Sequence, residues 1–593
     1  LLKKAAAKYQ AASEIKPNKA ETLFQWAMVL REWAKEEASD SMEKTLAQAA
    51  EKLETAVKLQ PDWHEAYEAL GSIYFARGTI VSDKTSESLF NQSIKVFQAA
   101  LAIREDLPEA LNGLGQAMVA LARWKHGGEA VQLFDQAMKK FQAALNYKPD
   151  HHEALTAWAD VLTRLAENMD AEEADGLLAE AQEKYKSAIR IHSKGSTAYL
   201  GWGKVLWMRG AILSNHTSEG LYAQAIEKFQ AALSYQPELA EALCGWGNVL
   251  VALGQHKFGR EVSQLMTQAM EKFRAAMSLE PGNLDALISW GHALTRLSET
   301  REGAEAMEVL GQATEKYQAV LKICPDHAEA LNNWGNVYLK MADLENKETH
   351  LERAVEKFKA ALEAQPEYAE ALINLGSVQF RLAQSKKPKE AEALYKEAEK
   401  KYQAALSIQP NYPEAYNNWG WILLQKAKRL TGKEAEPMYK QAADVFKQAV
   451  DINPEMHEAL LNWGVCLMEQ AKTKKGINVH PCLVNAKKKL QSAEALAPGS
   501  GAYQLARVMA LLANETGCRE WLEKCKAENS LPDREVWMNE NDFLSVRESK
   551  WFKTLVPEEE KKEEKPEEVS LEPEEISITE ADLEIAGDPK KIP

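Results

Sequence analysis

The sequence is short of cysteine and of long apolar runs, and both shortages restrict what the chain can be. Its 593 residues include six cysteines, at positions 244, 324, 466, 482, 518 and 525, and none forms a Cys-x-x-Cys pair. Isolated thiols in so long a chain fit core residues of a reducing compartment better than a disulfide framework. No stretch approaches the roughly 18 to 20 apolar residues that a membrane-spanning helix needs, so we predict no transmembrane segment.

Signatures of enzyme chemistry are also missing. The sequence has no Gly-x-x-x-x-Gly-Lys-Ser/Thr phosphate loop, no His-Glu-x-x-His zinc motif and no Gly-x-Ser-x-Gly nucleophile motif. The twelve histidines are scattered, and the pair His151-His152 follows a proline, where a polar helix start is expected. We therefore predict no catalytic residues, no metal site and no cofactor.

Cationic side chains are outnumbered, and much of the excess acid lies at one end. The net charge is −16, and residues 556–593 hold 12 Glu and 2 Asp against 5 Lys, which is more than half of that excess. Phosphate backbones attract concentrated Lys and Arg, so no nucleic-acid ligand is expected. A segment of Glu, Lys and Pro without aromatic residues cannot form a core, so residues 556–593 are predicted to be a disordered acidic tail. Ser577 and Thr579 are candidate phosphorylation sites for an acid-directed kinase; a purely solubilising tail is the alternative.

Small residues recur along the chain with a long period. A glycine or alanine returns every 44 residues, except for one step of 41 from Gly335 to Gly376, and tryptophan precedes it in eight of eleven cases. A small residue lets a neighbouring helix approach closely, and we expect the preceding indole to fill the space beside it. The members of this glycine slot are Ala27, Gly71, Gly115, Ala159, Gly203, Gly247, Gly291, Gly335, Gly376, Gly420 and Gly464.

A second register, the aromatic slot, has the same step. A small residue stands four residues before it from the second repeat on, and a proline stands eight residues after it in all but two repeats. Residues four apart share one helix face, and proline ends a helix, so each repeat reads as a pair of packed helices. The members of the aromatic slot are Tyr9, Leu53, Phe97, Phe141, Tyr185, Phe229, Phe273, Tyr317, Phe358, Tyr402, Phe446 and Leu490.

Taken together, the Trp/Leu-Gly, Ala, Phe/Tyr and Pro positions resemble the tetratricopeptide repeat (TPR), lengthened from its usual length of about 34 residues. The resemblance implies an all-α, right-handed superhelical α-solenoid of TPR-like helical hairpins, with a C-terminal capping element and the disordered acidic tail. Such hairpins bury their apolar faces only by stacking on their neighbours. The predicted organisation is an N-terminal helix (1–16), an array of about eleven repeats (17–498), a helical cap (499–555) and the tail (556–593).

Asparagine is concentrated around the glycine slots of the last four repeats. A side-chain amide both donates and accepts hydrogen bonds, as binding to a peptide backbone requires. The arrangement is similar to the asparagine ladder in the TPR arm of protein O-glycosyltransferases, which implies a groove for extended peptides; simple tolerance of exposed asparagine is the alternative. The candidate groove residues are Asn332, Asn333, Asn336, Asn374, Asn417, Asn418 and Asn462.

Acidic residues form a third register, six residues before the glycine slot, in ten of eleven repeats. They either stabilise helix N-termini or form an acidic rim that attracts basic segments. Three residues before the glycine slot, no repeat has Lys or Arg, although TPR co-chaperones use a lysine there to clamp acidic chaperone tails. The expected partners are therefore proteins with extended neutral or basic segments, and not EEVD-type chaperone tails.

These features favour a non-catalytic protein-binding scaffold or adaptor that assembles partner proteins along a TPR superhelix. Two alternatives stay open, a substrate-recognition subunit of an enzyme complex and a helical-repeat RNA-binding protein. The sequence predicts an intracellular soluble protein of the cytoplasm, with the plastid stroma and the mitochondrial matrix also compatible.

Overall fold

The computed structural model describes residues 1–81, 84–125, 127–167, 169–213, 216–255, 257–430, 434–474, 479–528 and 530–555, apart from the side chains of residues 39, 40, 216, 534 and 535. These residues form 27 α-helices and a short 3-10 helix, and within the described ranges there is no β-strand. The predicted all-α fold is confirmed. The predicted tail, with Ser577 and Thr579, lies outside the described residues.

Eleven helices carry the glycine slots, and each is the first helix of a pair. They tend to begin at an acidic first turn, and the side chain of Asn283 caps one of them by accepting a hydrogen bond from the Ala286 N–H at 2.9 Å. These helices are α2 (Ala20–Ala34), α4 (His64–Ile80), α6 (Pro108–Ala122), α8 (His152–Ala166), α10 (Ser196–Leu213), α12 (Ala240–Gly254), α14 (Leu284–Ser298), α16 (Ala328–Glu345), α18 (Ala369–Ser385), α20 (Pro413–Arg429) and α22 (His457–Thr473).

The second helix of each pair carries the aromatic slot. Most of these helices are longer than their partners, and both helices of a pair take up the residues that lengthen the repeat. The second helices are α3 (Ser39–Leu59), α5 (Lys84–Ile103), α7 (Gly128–Tyr147), α9 (Ala171–Ile191), α11 (His216–Tyr235), α13 (Arg260–Leu279), α15 (Gly303–Ile323), α17 (Glu348–Ala364), α19 (Pro388–Ile408), α21 (Ala435–Ile452) and α23 (Val479–Leu496). Helix α1 (Leu2–Ile15) precedes the first pair.

The chain divides into two compact units, Leu1–Ile408 and Gln409–Pro593. The first unit contains α1 to α19, and the second contains α20 onward. Within each unit, a first helix packs on the second helix of its own pair and on the second helix of the pair before it. The domain boundaries after residues 16 and 498 stay a prediction.

The ring of the aromatic slot fills the space beside the glycine slot. A Cβ atom on Gly203 of α10 would lie 2.8 Å from the ring of Phe229, and a Cβ on Gly245 of α12 would lie 2.6 Å from the same ring. One aromatic ring is therefore wedged between two successive first helices, which explains why both positions are glycine. The expectation that the preceding indole fills this space was wrong.

The indoles instead lie beneath lysine side chains, and all of them except the buried Trp334 are half-buried. Lys316 Nζ lies 4.2 Å from the centre of a Trp290 ring, and Lys272 Nζ lies 4.0 Å from that of Trp246. Each lysine immediately precedes an aromatic slot, so this cation–π contact also recurs with the repeat. The same pairing joins Trp26 to Lys52, Trp158 to Lys184, Trp202 to Lys228, Trp334 to Lys357 and Trp463 to Lys489.

The second unit ends in a helical cap with its own apolar core. It comprises α24 (Ala502–Leu511), α25 (Glu515–Ala527), α26 (Arg534–Asn539), the 3-10 helix Asn541–Phe543 and α27 (Lys550–Leu555). Trp537, Phe543 and Phe552 are fully buried there, which a solenoid end needs to cover its last apolar face. Asp542 fixes the cap to the array, because it pairs with Lys472 of α22 at 2.7 Å and with Arg507 of α24 at 2.7 Å.

All six cysteines are unbonded thiols, and five of them are buried. Burial raises the pKa of Cys244 and of Cys518 to about 12, so these thiols are protonated and unreactive at neutral pH. They are part of the apolar core, as the sequence indicated.

Candidate functional site

Asn332, in the second turn of α16, is fully buried and fixes the groups around it. Its Nδ2 donates a hydrogen bond to Oε1 of Glu370 at 3.2 Å and lies 3.5 Å from the Tyr368 hydroxyl. Its Oδ1 accepts a hydrogen bond from Nδ2 of Asn374 at 3.0 Å. Both ends of the amide are thus engaged within the protein, so Asn332 orients Glu370 and Asn374 instead of facing a ligand.

The same asparagine pairing occurs in the second unit. Nδ2 of Asn462 donates to Oδ1 of Asn417 at 3.0 Å, and Asn417 is buried like Asn332. In both cases the acceptor stands three residues before a glycine slot, and the donor stands two residues before the next one. Asn418, beside Asn417 on α20, is half-buried. Four of the seven predicted groove asparagines therefore form two hydrogen-bonded pairs, each of which joins successive first helices.

A cavity of about 560 Å³ in the first unit contains two of the predicted groove residues, Asn333 and Asn336. This volume is within the range of about 300 to 1,000 Å³ that is typical of ligand pockets. Helices α12, α14, α15, α16 and α18, with residues next to their ends, contribute the walls. The lining residues are Val251, Gln255, His292, Thr295, Arg296, Glu299, Tyr317, Glu329, Asn333, Asn336, Leu339, Lys340, Tyr368 and Glu370.

Asn333 is one of three residues lining this cavity that have a buried polar atom without a hydrogen-bond partner among the described residues; the others are Tyr317, through its hydroxyl, and Arg296, through Nε. Asn333 is 9% exposed, and its Nδ2 is buried without a hydrogen-bond partner among the described residues. An unsatisfied buried donor costs about 1–3 kcal/mol, which an acceptor from a ligand would recover after a small rotation of the amide. Asn336, one turn further along α16, is half-buried and lines the same space. Together they place two amides on one wall.

The two cations of the cavity are engaged with one carboxylate. Glu299 of α14 contacts both Arg296 and Lys340. Arg296 also donates to the backbone carbonyls of Gly254 at 3.2 Å and Lys257 at 3.2 Å, near the end of α12. Both cations therefore share one carboxylate, and Arg296 is held further by backbone carbonyls.

The register of acidic residues behaves differently from repeat to repeat. Glu109 pairs with Lys148 at 2.8 Å, and the hydrogen bond from this lysine lowers the pKa of Glu109; Glu241 likewise pairs with Lys204. Glu370 accepts the hydrogen bond from Asn332, whereas Glu329 has no ion pair among the described residues. Part of this register therefore serves the fold, and part of it faces the cavity.

The sequence analysis missed Arg296, Glu299 and Lys340. The sequence does carry a signal for them, which is a recurring ion pair between neighbouring repeats. The cation stands five residues after the glycine slot of one repeat, and the acid stands eight residues after the glycine slot of the preceding repeat. Lys340 pairs in this way with Glu299, and Arg381 with Asp343. Aligning the repeats by the glycine slot would have brought these columns together.

Neither a metal-type cluster nor a membrane helix is found in the described ranges. No three His, Cys, Asp or Glu side chains are grouped there in a way that could hold a metal ion. No helix in these ranges is both long enough and apolar enough to cross a bilayer.

Comparison with known proteins gives relatives of helical-repeat type. The family model described as plant specific mitochondrial import receptor subunit TOM20 matches residues 1–110 and 280–375, fewer than half of the chain. No curated protein matches.

Similar solved structures include three helical-repeat proteins. The TPR protein YrrB, described as having an unusual peptide-binding site, is 23% identical with a TM-score of 0.25, over 39% of this chain and 95% of its own. The thermophilic TPR protein TTC0263 from Thermus thermophilus is 20% identical with a TM-score of 0.29, over 37% and 99%. Yeast Tom70 is 15% identical with a TM-score of 0.34, over 86% and 93%. All three TM-scores are low, and the TPR character of the chain rests on its repeat registers and on the helix pairs that they produce.

Proposed function

We propose that this tetratricopeptide-repeat protein is a non-catalytic scaffold that assembles partner proteins by binding their extended segments. The observation that carries the proposal is the cavity between α14, α16 and α18, where Asn333 has an unused donor and Asn336 adds a second amide. Amides on a rigid helix suit a peptide backbone, which offers alternating carbonyl and N–H groups. In the second unit, Asn418 stands at the same repeat position as Asn333, two residues before a glycine slot.

Site-specific photo-crosslinking tests this proposal. The photoreactive residue p-benzoylphenylalanine is placed at position 336 in the cavity, or at position 318, an exposed glutamine on α15, as the matched control. We expect crosslinks from position 336 to recurrent partner segments that position 318 does not capture. Equal capture at both positions would contradict the proposed site, and crosslinks to RNA would favour the RNA-binding alternative.

A substrate-recognition subunit and a scaffold can bind peptides in the same kind of groove, and they differ in the proteins with which they are associated. If the chain recruits substrates to an enzyme, the same enzyme accompanies it in every complex, whereas a scaffold joins several partners. Quantitative mass spectrometry of the full chain purified at matched expression distinguishes them, because a stoichiometric enzyme in all preparations would favour the recognition subunit.

A receptor for imported proteins is a second candidate function. One of the two segments that the import-receptor family model matches, residues 280–375, includes α14, α16 and the first part of α18. This overlap favours a mitochondrial location over a cytoplasmic one. It also favours a protein-binding role, which the receptor and the scaffold have in common. Fluorescence microscopy of the tagged chain provides the test, since a uniform cytosolic signal would remove the receptor candidate while leaving the scaffold.

A further inference from the structure

The cations of the cavity in the first unit are in ion pairs, whereas, within the described ranges, two of its carboxylates are not. Its two cations, Arg296 and Lys340, both contact Glu299, and Arg296 is held further by backbone carbonyls. An incoming anion would therefore have to compete with Glu299 for both. The remaining carboxylates, Glu329 and Glu370, have no cation among the described residues.

Glu329 and Glu370 are held at the cavity by their place in the repeat. Each is in the first turn of its helix, α16 and α18, where the helix dipole favours a negative charge. The Nδ2 of buried Asn332 fixes Oε1 of Glu370 at 3.2 Å. Glu329 precedes Asn333 by one helical turn, so this carboxylate and the unpartnered amide share one face of α16.

The combination defines the ligand chemistry. The two exposed carboxylates attract a cation, and the buried Asn333 amide needs a hydrogen-bond acceptor, which the backbone carbonyl of the same ligand can supply. An acidic ligand would be desolvated beside Glu329 and Glu370 without a compensating charge. An extended segment that bears arginine or lysine supplies both groups at once.

We propose that this cavity is a recognition pocket for the cationic side chain of an extended partner segment, with Glu329 and Glu370 pairing with the cation and Asn333 binding the adjacent backbone. This inference rests on the proposed peptide-binding function and gives it a residue-level specificity.

The test is selection from a displayed library of random nine-residue peptides by the full chain, followed by fluorescence anisotropy with the selected peptides. We expect arginine or lysine to be enriched at one position. Replacing that residue by glutamine in the peptide should weaken binding by about tenfold, the size of one charge-assisted hydrogen bond. The double variant Glu329→Gln and Glu370→Gln should abolish the enrichment.

A matched variant separates pocket recognition from general charge. Glu21→Gln with Glu65→Gln removes the same charge at the same register in α2 and α4, outside the cavity, and should keep the enrichment. Equal loss in both double variants, or enrichment that survives Glu329→Gln with Glu370→Gln, overturns the pocket while leaving peptide binding intact. Selection of no peptide at all by the wild-type chain overturns the peptide-binding function itself.

Discussion

The side-chain amide of Asn374 donates a hydrogen bond to Oδ1 of Asn332 across 3.0 Å, which joins α18 to α16 through two asparagines. Asn332 also donates a hydrogen bond to Glu370, so a single buried side chain connects a residue of the acidic register with the candidate groove residue Asn374. Glu370 of the proposed pocket and the candidate groove residue Asn374 therefore both depend on a residue that does not itself face the ligand.

Asn332→Ala should destabilise the first unit by about 1–3 kcal/mol, because Asn374 and Glu370 would each lose a partner near a buried site. The effect should be local, since a solenoid has mainly nearest-neighbour contacts. Hydrogen exchange should therefore rise first in α16 and α18.

The matched control is Asn112→Ala, three residues before an earlier glycine slot, where Oδ1 of the buried amide has no partner among the described residues. Asn112→Ala should lower the stability of the first unit by less than Asn332→Ala does. An equal loss of stability in the two variants would contradict the role assigned to Asn332.

The helix pairs could be predicted from the sequence, because their signals are local and repeat eleven times. The side chain that packs against the glycine slot could not be predicted. Trp290 and Tyr317 are both large, and only the packing of the helices decides which of the two rings contacts Gly291. Likewise, spacing alone did not separate Asn332 from Asn333. Asn332 is hydrogen-bonded to residues of the next first helix, whereas Asn333 lines the cavity and has an unpartnered Nδ2.

Gly291→Ala and Gly311→Ala should have opposite effects within one helical pair. Alanine in a helix is ordinarily better than glycine by about 0.5–1 kcal/mol. A Cβ at Gly311 of α15 meets no atom within 4 Å, so that variant should gain this amount. A Cβ at Gly291 would lie 2.5 Å from the ring of Tyr317, and relieving that overlap should cost about 1–3 kcal/mol. Chemical denaturation measures both, and a stabilised Gly291→Ala would refute the close packing of the aromatic slot.

Glu494→Gln should weaken the C-terminal cap in a pH-dependent manner. Burial by itself raises the pKa of the Glu494 carboxyl, but hydrogen bonds from Lys524 and from the Gly499 and Gly501 amides, both at 2.8 Å, outweigh it and leave the pKa lowered. A carboxylate with a lowered pKa stabilises the folded state above its unfolded pKa, about 4.3, and this stabilisation is lost as the pH falls through the folded value.

The variant should therefore be less stable than the wild type at pH 7, by about 1–3 kcal/mol, and the difference should shrink below about pH 4. Thermal unfolding of the full chain across this pH range provides the measurement. Glu520→Gln, an exposed residue of α25, is the control and should show a small difference at every pH. A constant difference for Glu494→Gln would exclude the charge as its cause.

The last prediction concerns a ligand that the first unit should refuse. A clamp for an EEVD-type chaperone tail needs cations directed at carboxylates, but here Asn332 occupies the position of the clamp lysine and is bonded to Glu370. The available cations, Arg296 and Lys340, are already paired with Glu299. A terminal carboxylate would thus lose its hydration beside Glu329 and Glu370 and gain no free positive charge, which is unfavourable. Calorimetry of the full chain with an EEVD peptide should show no measurable heat of binding, whereas a peptide of equal length with lysines in place of the acids should bind more tightly and lose affinity with added salt. Micromolar binding of the acidic peptide would show that Arg296 and Lys340 leave Glu299 for the ligand, and that the groove selects anions.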